Sequence, residues 1–93
     1  PLSVTNLTKT TNFSVYPNPA NDFTKLTISL EKAEKITITI VDLLGKEIAK
    51  NEKTIFAGIT NETLDVSNYQ NGIYFINLQI GTNVTTKKLV ITK

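Results

Sequence analysis

Few side chains in this sequence have the chemistry of a catalytic centre. The chain holds no histidine and no cysteine, so the most common general base and the thiol nucleophile are both absent. None of the four serines therefore has a histidine to activate it: these are Ser3, Ser14, Ser29 and Ser67. Aspartates lie beside turn-like segments, where they usually cap main-chain amides: Asp22, Asp42 and Asp65. The sequence predicts no catalytic residue, no metal site and no cofactor, so an enzyme is not expected.

The charged side chains argue against two classes of binding. All 10 basic residues are lysine, against 8 acidic residues, and the net charge is +2. Without arginine the chain lacks the bidentate group that suits phosphate and guanine. No basic stripe is present either, so nucleic-acid binding is not expected. No apolar run approaches the roughly 20 residues of a membrane-spanning helix, and no membrane span is predicted.

The elements that must position any site are strands, because apolar residues recur at every second position from Phe13 onward. This period is typical of half-buried strands. The clearest apolar faces contain these residues: Leu26, Ile28, Leu30, Ile36, Ile38, Ile40, Tyr74, Ile76, Leu78, Ile80, Leu89 and Ile91. About seven such runs, separated by turn-like segments, predict an all-β fold: an immunoglobulin-like antiparallel β-sandwich.

Two further features bear on the organisation of the domain. Tyr74 lies two residues before Ile76, the spacing at which a corner tyrosine precedes a core cysteine in immunoglobulin-like domains. Residues 1–12 are polar and show no sustained period, which indicates a linker or lead-in from an upstream domain. Residues 13–93 are predicted to form the folded domain.

Turn chemistry predicts the connections between the strands. The Pro-Asn-Pro run at 17–19 indicates a rigid, polyproline-like kink, since each proline restricts its own φ and the residue before it. Residues 42–45, "DLLG", fit a type I turn with aspartate first and glycine fourth. Residues 71–72 and 80–83 carry the signals of hairpin turns.

Four segments, in this order, give the chain a resemblance to a known family. They are "YPNPANDFTKLTISL" at 16–30, "ITIVDLLGKEI" at 38–48, "LDVSNYQNGIYFINL" at 64–78 and "GTNVTTKKLVITK" at 81–93. Together they resemble the C-terminal sorting domain of the type IX secretion system, type A. The resemblance covers nearly the whole chain and leaves only residues 50–62 undistinguished.

The resemblance implies a secretion signal that directs a cargo protein across the outer membrane. The implied partners are the type IX translocon, an outer-membrane shuttle barrel protein and a cell-surface sortase that cleaves before the domain. The cargo would be in the periplasm during transit and then anchored at the cell surface or released. In this reading the domain is an address and performs no chemistry.

The resemblance also implies which residues form the recognition motifs. They are Pro17, Asn18, Pro19, Asp42, Leu43, Leu44, Gly45, Gly72, Tyr74, Gly81, Lys87, Lys88, Leu89, Val90 and Lys93. The prolines, Gly72 and Tyr74 are expected to act mainly through the fold. For two other sets, the leucine pair and the final strand, the sequence does not decide between a structural role and direct contact with a partner. Leu43 and Leu44 either cover an open sandwich end or form an exposed docking knob.

The final strand has the same two interpretations. In the structural interpretation its lysines protect a sheet edge from pairing with other chains. In the functional interpretation the chain end is a recognised tag, or the edge accepts a strand of a partner. The competing function for the whole domain is an immunoglobulin-like adhesion, carbohydrate-binding or spacer module of a secreted protein. A carbohydrate-binding module would need an exposed aromatic platform, and the chain contains no tryptophan.

Overall fold

The computed structural model describes residues 12–93. These residues form seven strands: β1 (Asn12–Tyr16), β2 (Phe23–Leu30), β3 (Glu34–Asp42), β4 (Glu47–Ile55), β5 (Gly58–Asp65), β6 (Gly72–Ile80) and β7 (Asn83–Ile91). The predicted lead-in, residues 1–12, lies outside the described residues except for Asn12, where β1 begins. None of the residues from 12 to 93 forms a helix that could span a lipid bilayer.

The strands form two sheets that face each other. The first has the order β1-β2-β5 and the second the order β4-β3-β6-β7. Every pairing between named strands is antiparallel. The predicted antiparallel β-sandwich of about seven strands is therefore confirmed.

The core lies between the sheets and follows the predicted alternation. In β3 the even-numbered isoleucines are buried, while Thr37 and Thr39 between them are only partly buried. The fully buried aliphatic side chains come from β2, β3, β6, β7 and the segment after β5: Leu26, Ile28, Ile36, Ile40, Val66, Ile76, Leu78, Leu89 and Ile91. Each contributes about 1.5–3 kcal/mol relative to an exposed position, and together they hold the sheets against each other.

The strand register places the connections at two opposite ends. The first, here called the motif end, contains the connections 17–22, 43–46 and 66–71 and the chain segment 92–93. The other, here called the far end, contains the connections 31–33, 56–57 and 81–82. The segments that carry most of the predicted motif residues thus meet at one end.

One turn prediction is wrong. Residues 71–72 do not form a hairpin, because the connection 66–71 leads from β5 in the first sheet to β6 in the second. The predicted turns at 42–45 and 80–83 do join paired antiparallel strands. Asn-Gly alone signals a turn locally, but it does not determine whether the strands on either side belong to one sheet.

Candidate recognition site at the motif end

The side chain of Asn18 binds the outer edge of β7. Its Nδ2 donates to the Lys88 carbonyl oxygen at 2.8 Å, and its Oδ1 accepts from the Val90 N–H at 2.9 Å. A side-chain amide has one donor group and one acceptor. Asn18 therefore satisfies two groups of an edge strand as a neighbouring strand would.

The main chain of Ala20 continues this contact. Its N–H donates to the Val90 carbonyl at 2.8 Å and its carbonyl accepts from the Thr92 N–H at 2.9 Å. The result is an isolated parallel bridge between Ala20 and Ile91. Connection 17–22 therefore joins the first sheet to the edge of the second.

The local path of this connection differs from the expected polyproline-like kink. Residues 17–19 form bends, and both proline peptide bonds, Tyr16-Pro17 and Asn18-Pro19, are cis. The buried hydroxyl of Thr24 donates to the Pro17 carbonyl at 2.8 Å. The bends bring Asn18 and Ala20 to β7, so this connection contributes to the fold.

Lys93 is held at the same end by its ammonium group. Its Nζ donates to the main-chain carbonyls of Asn21 at 2.6 Å, Val66 at 2.9 Å and Ser67 at 3.0 Å. Its main-chain N–H donates to Asn71 Oδ1 at 2.8 Å. The ammonium is therefore engaged within the fold, which favours a structural role for this lysine.

Asp65 organises the beginning of connection 66–71. Its Oδ1 accepts from the Ser67 hydroxyl at 2.7 Å and from the Ser67 N–H at 3.0 Å. These two bonds, with a smaller contribution from the charge of Lys93, hold the pKa of the Asp65 carboxyl below its ordinary value. The expected capping role of this aspartate is observed.

Tyr74 occupies the predicted corner position. Its buried side chain points inward, and its hydroxyl donates to the Gln70 carbonyl at 2.8 Å. The Tyr69 ring lies against it with the ring centroids 5.2 Å apart. Burial, followed by the nearby Tyr74 and Asp65, raises the pKa of the Tyr69 hydroxyl. The two rings fasten connection 66–71 to the core.

Asp42 closes the turn that precedes β4. Its main-chain carbonyl accepts from the Gly45 N–H at 3.0 Å, and its Oδ1 accepts from the N–H groups of Leu44 at 2.9 Å and Lys46 at 2.8 Å. Leu43 is 63% exposed and Leu44 is 93% exposed. The two leucines project into solvent and do not fold back over the sandwich.

The residues of β7 divide between core and surface. Leu89 is buried and Val90 is partly exposed. Lys87 pairs with Ile76, a core position, whereas Lys88 pairs with the outward-facing Phe75, and both lysines are exposed. An inward-facing lysine on an edge strand discourages pairing with other chains. Lys88 is thus better placed than Lys87 for contact on the outer face.

Gly81 is the predicted motif residue that the structure separates most clearly from the others. It lies in the β6–β7 turn at the far end, with a φ of 61°. Gly72, by contrast, begins β6 at the motif end and pairs with Ile91. The predicted motif residues therefore form one group with Gly81 outside it.

Several residues of the site were not singled out from the sequence. Ala20, Asn21, Gln70 and Asn71 act largely through main-chain groups or as side-chain acceptors. Main-chain groups leave no residue-type signature. Asn71 did carry a signal, but its adjacency to glycine was interpreted as a hairpin turn.

The described residues offer no metal site, and a cavity between the sheets lies away from the motif residues. Within residues 12–93, no group of three or more acidic side chains is arranged to hold a metal ion. A cavity of about 70 Å³ lies between the edges of β4 and β5, with Leu26, Ile38 and Ile40 among its lining residues. None of the predicted motif residues lines this cavity.

Comparisons with known proteins identify the family of this chain. Residues 14–92 match the family described as "Secretion system C-terminal sorting domain". The chain is 37% identical over 79 residues to an endo-acting ulvan lyase of Formosa agariphila, covering 85% of this chain and 14% of the lyase.

A solved structure has a similar fold. The dimeric latent PorU of Porphyromonas gingivalis matches with a TM-score of 0.72 and 14% identity, over 88% of this chain and 9% of PorU. At that identity the match concerns the fold alone. The chain thus spans a small part of each longer protein.

Proposed function

The chain belongs to the family of secretion system C-terminal sorting domains, and we propose how the type IX machinery uses it. A domain of this family is a sorting signal on a secreted protein and is not itself catalytic. Its cargo is secreted to the cell surface or the extracellular space. The proposal concerns the partners and the route.

One observation carries the proposal: three of the four motif segments are joined by hydrogen bonds at the motif end. Asn18 and Ala20 bind β7, and Lys93 binds both the proline connection and connection 66–71. The remaining motif segment, 38–48, exposes Leu43 and Leu44 at the same end. This arrangement supports a domain whose fold presents one recognition surface.

The proposed route has three partners. The folded domain passes through the periplasm and engages the type IX translocon at the outer membrane. An outer-membrane shuttle barrel protein then carries it to a surface sortase, which cleaves before the domain and leaves the cargo anchored or released. In this scheme the domain is a substrate of the peptidase, and the proline motif acts by holding β7 in place.

The direct test is export of a reporter. The full 93-residue chain is fused behind a periplasmic reporter in a cell with a working type IX system. We expect the reporter at the cell surface or in the medium, and we expect it to stay in the periplasm when the type IX system is deleted. A reporter that stays in the periplasm of the competent cell contradicts the proposal.

A core variant gives the matched control. Ile76 is completely buried, so Ile76→Asp places an unpaired charge in the core and should unfold the domain. We expect this fusion to remain in the periplasm. Equal export of the unfolded variant would show that the folded surface is not what the machinery recognises.

A further inference from the structure

The outer face of the second sheet is divided into an apolar half and a polar half. Four residues at the motif end share this face and form two cross-strand pairs: Val41 pairs with Phe75, and Ile73 pairs with Val90. They alternate with residues whose side chains point inward, such as Ile40, Tyr74 and Leu89. These four are called the apolar stripe.

The remainder of this face is mostly polar. Towards the far end its residues are Lys35, Thr37, Thr39, Lys50, Glu52, Thr54, Asn77, Gln79, Val84 and Thr86. The Thr86 hydroxyl donates to Asn77 Oδ1 at 2.7 Å. Val84 is the exposed apolar exception. The concentration of apolar side chains at the motif end is therefore a local feature of the sheet.

The exposed leucines extend this stripe beyond the sheet. Ile73 is 36% exposed, and the turn carrying Leu43 and Leu44 directly follows Val41 and Asp42 of β3. Ile48, at the bulge where β3 pairs with β4, is exposed as well. The other three residues of the apolar stripe are partly buried. Single exposed apolar residues need no explanation, but several at one end of a sheet are a feature of interaction sites.

Charges of opposite sign border the stripe. Glu47 pairs with Val41 at one edge, and Lys88 pairs with Phe75 at the other. Within residues 12–93 the ion pairs are Lys35–Glu52 and Lys53–Glu62. Glu47 and Lys88 thus have no ionic partner in the described part of the chain. A protein that contacts the stripe can offer a basic group to one and a carboxylate to the other.

We propose that the apolar stripe and the Leu43–Leu44 turn form the docking surface for a protein of the secretion apparatus, and this rests on the proposed sorting function. The partner has an apolar pocket for Leu44, a flat apolar strip beside it, and a carboxylate opposite Lys88. Four adjacent strands span only about 14 Å. A contact of that width is small, and small interfaces are typical of transient encounters, which suits a signal passed from one partner to the next.

The charges favour a protein over a lipid surface. Leucines and lysines together also suit an anionic membrane, but Glu47 lies within the same row as Val41 and Phe75. An anionic lipid surface would repel this carboxylate. A folded protein can complement both signs in one interface.

The test uses the reporter fused to the full chain and the double variant Leu44→Ser, Ile73→Thr. Both side chains are exposed, so thermal unfolding of the purified fusion should change little. We expect the export rate to fall about fivefold or more, which is the effect of losing about 1 kcal/mol of binding. The matched control is Val84→Thr, on the same face at the far end, and it should be exported as the wild type is.

Three outcomes would overturn the inference. In the first, the wild-type fusion is exported and the double variant is exported equally, so that the sorting function stands without this surface. In the second, export of Val84→Thr falls as much as that of the double variant. In the third, both variants lose export only in proportion to lost thermal stability. A wild-type fusion that is not exported would instead refute the sorting proposal itself.

Crosslinking identifies the class of partner. A photo-reactive amino acid at position 44 should form an adduct with a type IX component in exporting cells, and one at position 84 should not. Vesicles of phosphatidylethanolamine and phosphatidylglycerol provide the lipid arm. Binding of the wild-type fusion to these vesicles, lost in the double variant and accompanied by no protein adduct, would overturn the assignment to a protein.

Discussion

The two ends of the sandwich are built differently, although the same core lies between them. At the motif end, side chains of Asn18, Asp42, Asp65 and Lys93 bind main-chain groups of other segments or of their own turn. At the far end, the side-chain-to-main-chain bond found within residues 12–93 runs from Gln79 to the Gly81 carbonyl at 3.2 Å. The ends therefore differ in their polar contacts.

Loop length accounts for part of this difference. The far end has the short connections 31–33, 56–57 and 81–82, whereas the motif end has the longer 17–22 and 66–71. Long connections contain more main-chain groups that no strand pairing satisfies, and side chains must provide the partners. The motif residues Asn18 and Lys93 are among the side chains that provide such partners.

The largest expected effect tests whether packing also differs between the ends. Ile91 ends β7 at the motif end and Ile55 ends β4 at the far end, and both are buried in edge strands. Replacing either by alanine should lower the free energy of unfolding by about 2–5 kcal/mol. Denaturant titration should give similar losses. A loss confined to Ile91→Ala would show that the core itself is asymmetric.

A smaller effect should appear only at the motif end. Asn18→Ala removes both bonds to the β7 edge, and we expect the free energy of unfolding to fall by about 1–3 kcal/mol. The loss is no larger because the exposed groups of β7 can bond to water instead. Asn83→Ala, at the far end, is the matched control and should stay within about 0.5 kcal/mol. Equal losses from the two variants would remove the distinction between the ends.

Sequence patterns predicted the features that depend on near neighbours. The alternation of isoleucine and threonine gave β3, and the spacing of Tyr74 and Ile76 gave the corner tyrosine. The sequence also predicted the turn that carries Leu43 and Leu44, but it left open whether these side chains cover the sandwich end or are exposed, as the structure shows them. Each of these depends on residues a few positions apart, where local preference and burial act together.

Contacts between distant segments could not be predicted from the sequence. Asn18 and Lys88 are 70 positions apart, and only the strand order brings them together. The three carbonyls that bind Lys93 have no residue-type signature, so the sequence left this lysine open between protection of a sheet edge and recognition at the chain end. The apolar stripe was also missed, since cross-strand neighbours such as Val41 and Phe75 depend on register.

The smallest predicted effect is the pH dependence of stability that Asp65 gives to the motif end, and it tests whether the polar contacts there depend on charge. The ionised Asp65 carboxylate is favoured in the folded state, so its pKa is lowered, and it stabilises the fold above its unfolded pKa of about 4. That contribution is lost as the pH falls further, through the folded pKa. Thermal unfolding should show the wild type more stable than Asp65→Asn at pH 7, with a gap that narrows below about pH 4. A gap that is constant or widens in acid would mean that the bonds to Ser67 do not depend on the charge.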